Sequence, residues 1–318
     1  MTTIRELDAT KTAFVFPGQG SQAVGMGRDL AEAFPAAREI FGAADDLLGV
    51  SLTGVMWNGP ADTLNDTVNT QPALFVHSLA AFAAFEEVFP GFRPTLLAGH
   101  SLGELSAIAA GGALEFAAAL KLVRRRGELM KRAGEQYPGG MAAVLNLDIA
   151  ALEEICLKAS SPTETVQVAN DNCPGQVVIS GSKPAVERAM ELAKAAGARR
   201  AIPLAVSIAA HSNLMAGIQD EWNLAVAEAG LKDSAIPVMG NVEASVIYQA
   251  GELGKDIQGQ MQSRVRWTES IEAAKQRGIS TFVEVGTGSV LLGLIRRIMP
   301  DAAGVTLGTA ADFGALQA

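Results

Sequence analysis

Short apolar runs that end on glycine and then give way to a helical rhythm recur along this chain. Residues 12–16 lead into Gly18 and Gly20, residues 95–98 into Gly99 and Gly103, and residues 281–285 into Gly286 and Gly288. An apolar run bounded by glycine reads as a strand buried on both faces, and strands that alternate with helical stretches give an α/β fold with a largely parallel sheet. Ligands bind such sheets beyond the carboxyl ends of the strands, so the three glycine loops are expected to converge there.

Between about residues 135 and 206 the rhythm changes. Residues 141–147 read as a strand, 149–160 as a helix, 165–169 and 176–180 as two strands, 184–196 as a helix and 198–204 as a strand. That order is β-α-β-β-α-β, a ferredoxin-like unit. Glycines around Pro138 mark its entry and the segment near Ser207 its exit. The expected organisation is therefore a larger α/β domain made of residues 1–134 and 207–318, with residues 135–206 as a smaller inserted domain.

Composition narrows the class. The chain has 318 residues, which at roughly 150 per domain fits two units. Hydrophobic residues at 49% and charged residues at 19% exclude a disordered chain. The longest apolar stretches, 72–85 and 201–210, fall short of the ~20 residues needed to cross a bilayer. The N-terminus carries Arg5, Glu6 and Asp8 where a signal peptide would be apolar, so a cytoplasmic protein without a membrane partner is expected. Cys156 and Cys173 are the only cysteines, with neither a disulfide framework nor metal-site spacing, and no metal is expected. Net charge is −9, and basic residues cluster only at Arg124, Arg125 and Arg126, which argues against nucleic acid. The expected state is a monomer.

Gly99-His100-Ser101-Leu102-Gly103 is a G-x-S-x-G between the strand 95–98 and a helical stretch 102–110. In that setting the glycines permit a tight strand-to-helix turn that exposes the serine, a nucleophile elbow. The plainer reading is a turn whose serine caps the helix. A serine nucleophile needs a base, and the chain has three histidines. His100 is adjacent to Ser101 and should point elsewhere; His77 sits at helical spacing with Leu74, Ala81 and Phe85 and reads as a core residue. His211 remains, just after the apolar run 205–210 and before a helical stretch. Between Ser101 and His211 the only aspartates are Asp148 and Asp171, both in the inserted domain. Either an acid after His211 or a backbone carbonyl must orient the base.

Phe16-Pro17-Gly18-Gln19-Gly20-Ser21-Gln22 could cradle a phosphate, but Pro17 and the lack of a following acidic residue argue against a dinucleotide site. The other reading places Gln19 beside the backbone N–H of Leu102 as an oxyanion donor. Arg126 lies in the apolar stripe of the helical stretch 116–133, i+3 from Val123, whereas Lys121, Arg125, Glu128 and Arg132 form the polar face. A guanidinium on the buried side needs an anion. That anion is either an internal glutamate or the carboxylate of a substrate.

Taken together, the residues 16–22, Gln71-Pro72-Ala73-Leu74, Gly99-His100-Ser101-Leu102-Gly103-Glu104, Arg126-Gly127 and the histidine segment 206–215 resemble the malonyl-CoA:acyl carrier protein transacylases and the related acyltransferase domains of polyketide synthases. The resemblance runs from about residue 12 to 299. It implies an α/β-hydrolase-like large domain with a ferredoxin-like insertion. It also implies Ser101 as nucleophile, His211 as base, Arg126 as the binder of the substrate carboxylate, and the N–H groups of Gln19 and Leu102 as the oxyanion hole. The main-chain carbonyl that orients the histidine in this family falls on Gln260. The implied substrates are malonyl-CoA and acyl carrier protein, with coenzyme A entering as a thioester substrate and no cofactor. A hydrolase of the same fold, a transferase of branched extender units and a non-catalytic docking module are the alternatives. Ile208-Ala209-Ala210 before His211 departs from the commoner family stretch and leaves the extender unit open.

Overall fold

A computed structural model describes residues 3–317. Its strands in chain order are β1 (Thr12–Phe16), β2 (Leu96–Gly99), β3 (Gly139–Leu145), β4 (Val166–Cys173), β5 (Gln176–Ser182), β6 (Arg200–Pro203), β7 (Val238–Met239), β8 (Val246–Ile247), β9 (Thr281–Val285) and β10 (Ala303–Leu307). The larger sheet has six strands in the order β10-β9-β1-β2-β7-β8. All its pairs are parallel except β7 with β8. Every residue of β1 is buried, as a central parallel strand requires. Alternation then divides its side chains: Phe14 and Phe16 join the core under the helix Thr67–Val88, while Ala13 and Val15 face the second core with Trp267 and Leu291.

The helix Thr67–Val88 is buried on nearly all sides, and Asp66 caps it by accepting from the Val68 N–H at 3.1 Å. Pro72 within it cannot serve the Val68 carbonyl. Arg124 does so from the neighbouring helix Phe116–Gln136, through Nη1 at 3.2 Å. The two helices cross closely at Gly127, where an added Cβ would lie 2.9 Å from the Thr67 carbonyl oxygen. This crossing sets Arg126 next to Gln71.

The smaller sheet is antiparallel in the order β4-β5-β3-β6, and the helices Ile149–Ala159 and Lys183–Ala195 close a separate core on it. The element order is the ferredoxin-like β-α-β-β-α-β expected from the sequence. Strand β4 runs further than expected, through Asn170, Asp171 and Asn172 to Cys173. Those three polar residues have turn propensity, but they are buried, and Asn170 bridges to Val265 of the larger unit. Among the described residues no helix is long and apolar enough to cross a membrane.

Strands β9, β1 and β2 are neighbours, so their glycine loops do meet. The loop after β9 packs behind the loop after β1: a Cβ on Gly286 would lie 2.9 Å from Pro17 Cγ. The loops after β1 and β2 are interlocked through backbone. A Cβ on Gly103 would stand 2.0 Å from the Phe16 carbonyl oxygen, and one on Gly99 1.9 Å from the Gly103 carbonyl oxygen. Backbone cannot yield as a flexible side chain can. Gly103→Ala should therefore cost about 3 kcal/mol or more, at the upper end of overpacking penalties. Chemical denaturation measures it, and a variant as stable as the parent would contradict a locked elbow.

Candidate active site

The turn between β2 and the helix Leu102–Ala110 holds Ser101 at φ 53° and ψ −109°, outside the ordinary regions for a side-chain-bearing residue. Such strain persists only where the surroundings dictate it. Here Asn241 clamps both sides of the turn: its Oδ1 accepts from the Ser101 N–H at 2.8 Å and its Nδ2 donates to the Gly99 carbonyl at 2.7 Å. Ser101 Oγ lies 2.8 Å from His211 Nε2. His211 also has a left-handed backbone, φ 57°, and Gln167 of β4 donates to its carbonyl at 3.2 Å.

The second ring nitrogen settles the tautomer. His211 Nδ1 is 2.8 Å from the main-chain carbonyl of Gln260, which can only accept. Nδ1 therefore carries the proton, and Nε2 is left to accept from the Ser101 hydroxyl. Burial, and next the Arg126 charge, push the His211 pKa down to about 3. A pKa below the ordinary value near 6.5 means that the folded protein holds this imidazole neutral at physiological pH. That is the form a general base needs.

Arg126 is 2% exposed. Its Nη1 donates to Gln71 Oε1 at 2.9 Å, and its Nη2 to Gln260 Oε1 at 2.6 Å and to Ser101 Oγ at 3.1 Å, while Nε has no partner. No carboxylate touches the guanidinium among the described residues, so a direct internal ion pair, one of the two sequence readings, is not what the structure holds. Burial pushes its pKa down to about 10, and it stays cationic near neutral pH.

A cavity of about 650 Å³ opens between the two sheets and brings together Gln19, Ser101, Leu102, Arg126 and His211. Leu102 begins its helix, so its N–H has no intrahelical acceptor. Gln19 is held from its side chain, which accepts from Thr67 Oγ1 at 3.1 Å. Gln260 is buried behind the cavity wall and reaches the site through its carbonyl and amide. His77 is a core residue bonded to the Gly308 carbonyl at 2.9 Å, and His100 turns from Ser101 to donate to Asn172 at 2.8 Å. Asp148 caps a helix and Asp171 binds Thr268. The sequence reading missed Asn241 and Gln167 and gave no separate role to Gln71. For Asn241 the available signal was an amide standing in an apolar run, and for Gln71 an amide at the start of the run 72–85.

A family model described as acyl transferase domain matches residues 13–310. A malonyl CoA-acyl carrier protein transacylase of Haemophilus influenzae is 43% identical over 307 residues, spanning 96% of this chain and 98% of that protein. Among solved structures, an acyl carrier protein S-malonyltransferase from Vibrio cholerae aligns with a TM-score of 0.93 at 41% identity, over 96% of this chain and 99% of that one. A malonyl-transacylase in complex with a type II polyketide synthase acyl-carrier protein aligns with the same TM-score of 0.93 at 38% identity, over 96% and 99% of the two chains.

The depressed pKa of His211 fixes an expected pH profile. Labelling of Ser101 by a serine-directed fluorophosphonate should change little between about pH 5 and 8, the range in which an ordinary histidine would titrate. A fall in labelling centred near the ordinary histidine value of about 6.5 would contradict a buried, neutral base.

Proposed function

The chain belongs to the acyl transferase domain family, and on that premise we propose that it moves a malonyl group from coenzyme A to the phosphopantetheine thiol of an acyl carrier protein through an ester on Ser101. The reaction supplies extender units to fatty-acid or polyketide assembly. The observation that carries the malonyl reading is Arg126: a buried guanidinium on the cavity wall, 3.1 Å from the nucleophile and without a carboxylate partner among the described residues. A dicarboxylic acyl group brings the missing anion on the end opposite its thioester.

The chemistry follows from the geometry. His211 Nε2 takes the proton of Ser101 Oγ, and Oγ bonds to the thioester carbonyl carbon. The oxyanion that forms is held by the N–H groups of Gln19 and Leu102. The C–S bond then breaks, and His211 returns the proton to the departing coenzyme A sulfur. In the second half the carrier thiol gives its proton to His211, its sulfur attacks the ester carbonyl, and Ser101 Oγ leaves and regains a proton. The Gln260 carbonyl keeps Nδ1–H in place through both halves. Arg126 holds the free carboxylate throughout, and its Nη2 hydrogen bond to Oγ also favours the serine oxygen as charge develops. Coenzyme A enters as a thioester substrate and leaves as the free thiol, and no cofactor enters any of these steps. Relatives at 43% and 44% identity named malonyl CoA-acyl carrier protein transacylase support this reading, and a cytoplasmic location is part of the proposal.

Removing one partner of a buried charge pair costs about 2 to 5 kcal/mol. At about 1.4 kcal/mol per tenfold, Arg126→Ala should lower malonyl transfer roughly thirtyfold or more. Acetyl-CoA has no second carboxylate, so its slow turnover should fall far less and the preference for malonyl should collapse. Steady-state transfer of both acyl groups to carrier protein measures this. A proportional decline of both would make Arg126 a structural residue and remove the basis of the malonyl reading.

A further inference from the structure

One buried acid beside the site has no part in the steps above. Glu104 lies in the first turn of the helix that starts at Leu102, three residues beyond the nucleophile, and is completely buried. Its Oε2 accepts from Gln260 Nε2 at 2.6 Å, whereas its Oε1 has no donor. Asp256 adjoins it, with oxygens already taken up by the Asn241 N–H at 3.0 Å and the Val242 N–H at 3.3 Å. Two neighbouring carboxyls in a dry interior do not both ionise. Burial, and next the charge of Asp256, raise Glu104 well above the usual carboxylate range. A proton on Glu104 Oε1, donated to Asp256, gives that oxygen the partner it lacks.

Gln260 joins this pair to the site. Its Nε2 donates to Glu104 and, at 2.9 Å, to the Ser101 carbonyl, while its Oε1 accepts from Arg126. An amide can lie either way round. Only one way places its oxygen on the guanidinium; the other sets an NH2 against Nη2, donor to donor. Glu104 Oε2, as an acceptor, selects the first.

We propose that Glu104 is a positioning residue for dicarboxylate selection: by accepting the Gln260 Nε2 hydrogen bond it fixes the Gln260 amide oxygen on Arg126 and so aims the guanidinium at the free carboxylate of the acyl group. The inference rests on the malonyl reading of the site. It acts on the arginine more than on the base, because His211 is held by the Gln260 peptide carbonyl, which does not turn with the side chain.

The test compares Glu104→Gln with Glu104→Ala in the full chain, reading KM and kcat for malonyl-CoA and acetyl-CoA with carrier protein as acceptor. Glutamine matches the protonated acid, with a carbonyl for Gln260 and an NH2 for Asp256, and should restore malonyl selectivity to within about threefold of the parent. Alanine offers no acceptor. It should raise the malonyl-CoA KM roughly tenfold or more, the scale of one hydrogen bond serving a charged group, while acetyl turnover falls far less. If Glu104→Ala does not fold, Glu104→Met keeps the volume without the acceptor and carries the comparison. Equal losses for both substrates, an unchanged malonyl KM, or a glutamine variant as impaired as alanine would overturn the proposal. Failure of the parent chain to transfer malonyl at all would instead overturn the reading on which it rests.

Discussion

A guanidinium placed almost wholly out of water, with no carboxylate of the described residues against it, sets the terms for everything around it. Stripping such an ion of water costs on the order of several kcal/mol even after relaxation, and an arginine cannot escape by giving up its proton. The protein answers with neutral acceptors: the amide oxygens of Gln71 and Gln260 and the hydroxyl of Ser101. These satisfy hydrogen bonds but leave the charge uncompensated. The free site is thereby prepared for an anion, and the same positive charge helps keep His211 neutral. In the proposed reaction, substrate choice and base readiness thus share one source.

The fold is arranged to hold that ion in place. The close helix crossing at Gly127 brings Gln71 within reach, and the interlocked loops at Gly18, Gly99 and Gly103 hold the strained serine. The smaller sheet contributes more than a wall to the cavity. Its β4 strand anchors His100 through Asn172 and the His211 backbone through Gln167. Gln260 is the point at which these constraints meet, since its peptide carbonyl orients the base and its amide touches Arg126, Glu104 and the elbow.

What could be read from the sequence followed from side-chain type and spacing. Glycine on both sides of Ser101, a lone histidine after an apolar run, and an arginine in an apolar stripe each carry a chemical meaning that survives without coordinates. The ferredoxin-like order was legible because strand and helix periods alternate cleanly there. Main-chain work leaves no such trace: any residue offers a carbonyl, so Gln260 entered only by resemblance to a family. Asn241 stood out only as an amide in an apolar run, because the partners of its clamp lie 140 and 142 residues away. The length of β4 was misjudged because Asn170, Asp171 and Asn172 carry turn propensity, which burial between the two units overrides. Glu104 carried the same signal as Arg126, a charge among Leu102, Leu105 and Ile108, and could have been found by the same rule.

The proposed function turns on one covalent event, the transfer of a malonyl group to the Ser101 hydroxyl. Intact-mass measurement of the chain mixed with malonyl-CoA, without acceptor, observes it directly. The parent chain should gain a single malonyl group and lose it when carrier protein bearing a free phosphopantetheine thiol is added, and Ser101→Ala should gain none. A parent chain that never acquires the group, or a Ser101→Ala chain that does, would contradict the assignment.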